Sequence, residues 1–220
     1  MARRLHGRYF RDDTTNHRTC LLCWHRNLEL QRLKLTLIRH TPLQIESGIC
    51  YGQSDIDVAA SFANDVVRTQ AKLSEMTFDA IYTSPLQRCV KLADALNLGE
   101  PILDNRLMEL NFGDWEMHAW DDIPRDIFDD WANDYANKAP PNGETFTQLQ
   151  QRGVAFLQDI LSRYPQGNIA VVTHGGMTRA LLAHALNMHL KGLFRFTIDY
   201  GSVTQVEFGG VVPKIGFVNL

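Results

Sequence analysis

The chain has 220 residues, of which 45% are hydrophobic, 10% aromatic and 21% charged. That length can bury one sizeable core, and the composition excludes whole-chain disorder. No run of about 18 apolar residues is present to make a membrane-crossing helix, and a net charge of −3 gives no sign of a dedicated nucleic-acid binder.

The charge is unevenly spread. Residues 1–34 hold eight Lys/Arg against Asp12, Asp13 and Glu29, a balance of +5, while the remainder holds 14 against 22, a balance of −8. Residues 1–33 show no helical or strand periodicity and read as a basic, poorly ordered extension ahead of one domain at 34–220. His17, Cys20, Cys23 and His25 are soft metal ligands, but a single Cys pair with no second pair following is a weak zinc signal. Docking of the basic arm on RNA or anionic lipid is an equally weak reading. Four cysteines are too few for a disulfide scaffold and no apolar signal core precedes the domain, so a reduced, cytoplasmic protein is expected.

Regular structure starts abruptly at Lys34-Leu-Thr-Leu-Ile-Arg39, an apolar, β-branched run that reads as a buried strand. Helical spacing follows over residues 58–75, through Val58, Phe62, Val66, Val67 and Leu73. A second strand is expected over 78–84, and Pro85 stands where a helix can open because its missing N–H costs nothing there. That helix should run to Leu98 before Gly99, with a short strand at 101–104 behind it. Residues 109–143 turn rich in Trp, Asp and Pro and read as helical turns and loops over one edge of the domain. A long amphipathic helix at 144–164, a buried strand at 168–173 and a helix at 177–188 come next, and β-rich runs at 203–208 and 215–218 close the sheet. Strands alternating with helices predict a three-layer α/β sandwich with a mostly parallel central sheet and helices on both faces.

In such folds ligands bind beyond the carboxyl ends of the strands. Arg39-His40-Thr41 follows the first strand, Ser84-Pro85 with Arg88 the second, Arg106 and Glu109 the short third, and Thr173-His174-Gly175-Gly176 the central one. Two histidines, at least two arginines and a glutamate thus gather on one rim. Guanidinium forks suit a tetrahedral oxyanion, and the turn into the Gly-Gly helix should aim free N–H groups at the same place. A histidine can attack phosphorus, and a carboxylic acid can protonate a leaving alcohol. The arginines already neutralise phosphoryl oxygens, so no metal or other cofactor is expected. Blander readings make Arg88 a surface helix arginine and Glu109 a partner for Arg106, with Trp115, Trp120, Trp131 and Tyr135 as packing and His184 and His189 as structural.

Arg39-His40-Thr41, Ser84-Pro85-Leu86-Gln87-Arg88, Glu109-Leu-Asn-Phe-Gly113 and Thr173-His174-Gly175-Gly176 occur in that order. Together they resemble the histidine phosphatase (phosphoglycerate mutase-like) superfamily over residues 34–205. Arg39-His-Thr-Pro42, Gly48-Ile-Cys-Tyr-Gly-Gln-Ser-Asp55, Phe112-Gly-Asp-Trp-Glu116 with Trp120-Asp-Asp-Ile-Pro124, and Asn142-Gly-Glu-Thr-Phe146 are most similar to the α-ribazole-5′-phosphate phosphatases of cobalamin assembly. The resemblance implies His40 as the nucleophile that becomes phosphohistidine. It implies Arg39, Arg88 and His174 as phosphoryl ligands, and Glu109 as proton donor. Two positions depart from the commonest pattern. Thr41 stands where Gly is usual, and Glu46 stands where many members have Asn. A carboxylate would repel phosphate, so Glu46 is expected to point away.

The expected activity is metal-independent hydrolysis of a small phosphate ester, α-ribazole 5′-phosphate first. No nucleic-acid or membrane partner is expected, and a homodimer is left open. A phosphoglycerate mutase or a broad-specificity sugar-phosphate phosphatase is the enzyme alternative. The 187 residues from Lys34 onward leave little room for the closing segments of larger mutases, which favours hydrolysis. An inactive phosphate-ester binding module is the remote alternative.

Overall fold

The computed structural model describes residues 32–220. The basic arm and the Cys20/Cys23 metal reading lie outside the described residues. Six strands form one sheet: β1 (Leu33–Arg39), β2 (Ala80–Thr83), β3 (Pro101–Leu103), β4 (Asn168–Thr173), β5 (Val203–Phe208) and β6 (Lys214–Phe217). Their order is β3-β2-β4-β1-β5-β6. The first four run parallel, and β5 and β6 add antiparallel pairings at one side. The expected mostly parallel, three-layer α/β architecture is observed.

Period-two alternation splits the core between the two faces of the sheet. Leu33, Leu35 and Leu37 of β1 join Ile169 and Val171 of β4 beneath α4 (Phe146–Arg163) and α5 (Gly175–Ala185). Ile38, Ala170 and Val172 face the other way, toward α1 (Phe62–Leu73) and α2 (Gln87–Leu96). Both central strands are thus apolar on both sides, which is why they read as continuous hydrophobic runs.

Helix boundaries moved for local reasons. Val58 does not enter α1 but pairs with Leu43 in an isolated antiparallel bridge, so the helix opens at Phe62. Pro85 is not the first helical residue. Leu86 behind it is extended at φ −65°, ψ 133°, and α2 opens at Gln87, whose N–H donates to Asp55 Oδ1 at 2.8 Å. The α4 start is set by a capping box in which Thr145 and Gln148 bond each other's backbone N–H. The α5 helix begins at Gly175, two residues earlier than its apolar pattern indicates, and ends at Ala185.

Residues 109–143 form short 3-10 turns and a single helix, α3 (Arg125–Asn133). Their aromatics pack on one another: Phe112 lies 5.3 Å from Trp120 and Trp115 5.5 Å from Trp131, centroid to centroid. Trp115 and Trp131 are buried in the larger core cluster, as the packing reading requires.

Candidate active site

Strand register alone brings the two histidines together. Arg39 pairs with Thr173 across β1 and β4, so His40 and His174 both stand one residue past the same rung. The His40 N–H donates to Thr173 O at 3.0 Å, and the imidazole centroids are 5.2 Å apart, edge to face. Thr83 pairs with Val172, which sets Ser84 opposite Thr173, one rung short of the histidines. Ser84 Oγ lies 2.8 Å from His174 Nε2.

Both rings are fully buried, and their bonds assign their protons. His40 Nδ1 lies 2.8 Å from Thr41 O, an atom that only accepts, so Nδ1 carries the hydrogen and Nε2 keeps a lone pair. Arg88 Nε donates to His174 Nδ1 at 3.3 Å, which leaves His174 Nε2–H to donate to Ser84. Burial holds the His40 pKa well below the ordinary histidine value, the Arg88 and Arg39 charges push it further down, and the Thr41 bond opposes them. His174 is lowered in the same direction by burial, then by Arg88 and by His40 itself. Both imidazoles are neutral at neutral pH, as a nitrogen nucleophile requires.

Arg88 is not a surface arginine: it is 0% exposed. Its guanidinium donates to Ser54 O at 2.8 Å, to Gly52 O and to His174. All these partners are neutral. A buried cation with no anionic partner is costly, and the Arg39 charge acts on His40 alongside it. Arg39 Nε is itself buried without a hydrogen-bond partner. The site is built for an anion.

Glu109 sits beside α5 and not on Arg106, which pairs instead with Asp104 and Asp159. Its Oε2 accepts the Gly176 N–H at 2.9 Å and its Oε1 accepts the Leu110 N–H at 3.0 Å. The α5 opening therefore gives one of its free N–H groups to Glu109. Glycine at 176 leaves the carboxyl its place, because a Cβ there would stand 2.3 Å from Glu109 Oε1 and push it aside. The departures at 41 and 46 also have places. Thr41 is buried beside His40, and Glu46 is exposed on the following loop, as expected of a carboxylate that must avoid an anion.

Three supporting residues escaped the sequence reading. Arg152 on α4 donates to Arg106 O, Met108 O and Glu109 O and pairs with Glu144, clasping the segment that carries Glu109. Glu116 accepts from the N–H groups of Gln53, Ser54 and Phe112 and from Ser54 Oγ. Burial pushes the Glu116 pKa up, but those hydrogen bonds outweigh it and leave the carboxyl below the usual range. The loop it gathers is the one whose carbonyls hold Arg88. Tyr200 stacks on Arg39, with its centroid 3.8 Å from the guanidinium carbon. Glu144 and Glu116 lie in motifs already singled out, but nothing in their spacing reveals what they bind.

Among the described residues no helix is long and apolar enough to cross a membrane. The adenosylcobalamin/α-ribazole phosphatase of Escherichia coli K12 is 27% identical over 194 residues, covering 85% of this chain and 96% of that one. Phosphoserine phosphatase 1 of Hydrogenobacter thermophilus is 26% identical over 184 residues, covering 80% and 86%. The crystal structure of the α-ribazole phosphatase from Shigella flexneri superposes with a TM-score of 0.77 at 26% identity, covering 85% of this chain and 96% of that one. The family model of the histidine phosphatase superfamily (branch 1) matches residues 35–220, which include His40, Arg88, Glu109 and His174 in their strand-end positions, and the chain belongs to that superfamily.

Proposed function

We propose that this phosphoric monoester hydrolase works without a metal, through a phosphohistidine on His40. The observation that carries the reading is the protonation pattern of that residue. Its Nδ1 is tied to Thr41 O, so a neutral Nε2 keeps its lone pair in the field of the Arg88 and Arg39 charges. In the first step Nε2 attacks phosphorus while the ester P–O bond breaks and Glu109 delivers its proton to the departing oxygen. Arg39 and Arg88 hold the phosphoryl oxygens, His174 joins them by turning its Nε2–H from Ser84 to the phosphoryl group, and the arginine charges stand where a metal would otherwise be needed. In the second step water attacks phosphorus, the P–N bond breaks, and the Glu109 carboxylate takes the water proton. Both Glu109 oxygens accept a backbone N–H, so the carboxyl is aimed before substrate arrives.

For the natural substrate we favour α-ribazole 5′-phosphate, supported by the motifs at 39–42, 48–55, 112–116, 120–124 and 142–146 and by relatives of that name from two organisms. Phosphoserine is the second reading, favoured by the Hydrogenobacter relative of similar identity. A cytoplasmic setting suits Cys50 and Cys89, both free and buried. The test is a comparison of kcat/KM for α-ribazole 5′-phosphate, O-phosphoserine, 3-phosphoglycerate and several sugar phosphates, with and without EDTA. A clear preference for the first, unaffected by the chelator, is expected. Turnover restored only by Mg²⁺ or Zn²⁺ would overturn the metal-free mechanism.

A further inference from the structure

Two phenols meet over the site. Tyr51 and Tyr200 are 149 positions apart in the chain, yet their hydroxyl oxygens are 2.5 Å from each other. Tyr200 lies with its ring 5.5 Å from the His40 ring and stacks on Arg39. The Tyr51 ring lies 5.8 Å from the Arg88 guanidinium carbon. Each phenol therefore covers one of the two arginines proposed to hold the phosphoryl group, and their tips join across the space between.

Their backbones are tied to the same clamp. Tyr51 directly precedes Gly52, whose carbonyl accepts from Arg88. Tyr200 directly precedes Gly201, whose N–H is shared between Arg39 O at 3.2 Å and His40 O at 3.1 Å. Gly201 adopts φ +64°, a conformation that glycine reaches at little cost, and so turns the chain to place Tyr200 against Arg39.

We propose that Tyr51 and Tyr200 form the leaving-group subsite: their hydroxyl bridge closes the mouth at rest and parts on binding to seat a flat ring of the ester's alcohol against the phenols. This deepens the phosphatase reading and rests on it. In-line displacement puts the ester oxygen on the side of phosphorus opposite His40 Nε2, so the alcohol must project outward past the residues that cover the clamp. Tyr51 is within electrostatic reach of both Arg39 and Glu109, the residue that would protonate that oxygen. Tyr200 is 40% exposed, and a cavity of about 360 Å³, lined also by Thr69, Lys72 and Asp199, adjoins it. The ring thus has space to move when the bridge opens. Two phenol rings at the mouth favour an aromatic or similarly flat group over a short aliphatic chain.

Benzyl phosphate and ethyl phosphate test this, since both release an alkyl alcohol and differ by the ring. Tyr51→Phe keeps the ring and removes the bridge, so KM should fall ~2–10-fold for both esters, the span of one hydrogen bond. Tyr200→Phe should do the same, because loss of either hydroxyl breaks the bridge. Tyr51→Ala removes one face and should raise KM for benzyl phosphate over that for ethyl phosphate by ~2–10-fold. A rise in KM with both Phe variants, or equal changes on the two esters with Tyr51→Ala, would overturn the subsite while leaving the phosphatase reading intact. A wild-type enzyme inert toward both esters would overturn the phosphatase reading and the subsite with it.

Discussion

Glu109 and Gly176 are fitted to each other: the Gly176 N–H reaches Glu109 Oε2 at 2.9 Å, and a methyl group on Gly176 would overlap Oε1 at 2.3 Å. Gly176→Ala should therefore displace the carboxyl while the buried α5 helix persists. We expect kcat on an alkyl phosphate to fall by about 10²-fold, the lower end of general acid–base catalysis. Steady-state kinetics, with circular dichroism to confirm folding, checks this.

Glu109→Gln separates the acid from its geometry. The amide keeps size and polarity but has no acidic proton to give. An alkoxide is a strong base and needs that proton, whereas nitrophenolate departs without it. The burst-phase rate should drop by roughly 10²–10⁴-fold for a ribose 5′-phosphate ester and far less for p-nitrophenyl phosphate. Equal losses would make Glu109 a positioning residue.

Covalent catalysis predicts a trapped intermediate. Rapid alkaline quenching with a labelled ester should leave label on His40, because a phosphoramidate survives base and is lost in acid. His40→Ala should abolish both label and turnover. Label on Ser84, the nearest hydroxyl to His174, would point to a different nucleophile.

The buried histidines set an acid limit on stability. Their folded pKa values are lowered from the ordinary histidine value of 6.5, so below that pH the unfolded chain binds protons that the native site refuses. Stability should thus be fully present above pH 6.5 and decline as the pH falls below it. Each histidine contributes a slope approaching about 1.4 kcal/mol per pH unit. Urea melts between pH 5 and 7.5 check the slope, and replacing His174 with a neutral residue should reduce it. Activity should extend below pH 6.5, since His40 remains unprotonated there.

Glu116→Gln tests the loop behind Arg88. Four donors converge on the carboxylate, and an amide would turn its NH₂ group toward some of them. Leaving such donors unpaired should cost roughly 1–3 kcal/mol of stability. Inorganic phosphate should also become a weaker competitive inhibitor, because the Gly52 and Ser54 carbonyls that hold Arg88 would shift. An unchanged inhibition constant would mean that the α2 helix alone positions Arg88.

The fold was largely legible because its central strands are buried on both faces and so read as β-branched, mostly apolar runs, from Leu35 to Ile38 around the buried Thr36 and unbroken from Ile169 to Val172. Helix ends were less so. Val58 fits the helical period of α1 but is used in a bridge to Leu43, and Ser84-Pro85 holds Leu86 extended before α2 can start. Periodicity reports which residues face a core, whereas a boundary depends on which group from elsewhere satisfies the first N–H, here Asp55 for Gln87.

By itself the sequence determined the alternation of strands and helices and the chemical set of Arg39, His40, Arg88, Glu109 and His174, because each lies beside a local pattern that names its element. Only the tertiary structure decided what those residues do to one another. The β1/β4 register sets the two imidazoles edge to face, Thr41 O selects the His40 tautomer, and Gly176 makes room for Glu109. Arg152, Glu116 and the Tyr51–Tyr200 pair were invisible until then, since their long-range partners lie 43 to 149 positions away and local spacing carries no signal at that range. Proton positions and pKa shifts follow from burial and from neighbouring charges, and both exist only once distant segments have packed.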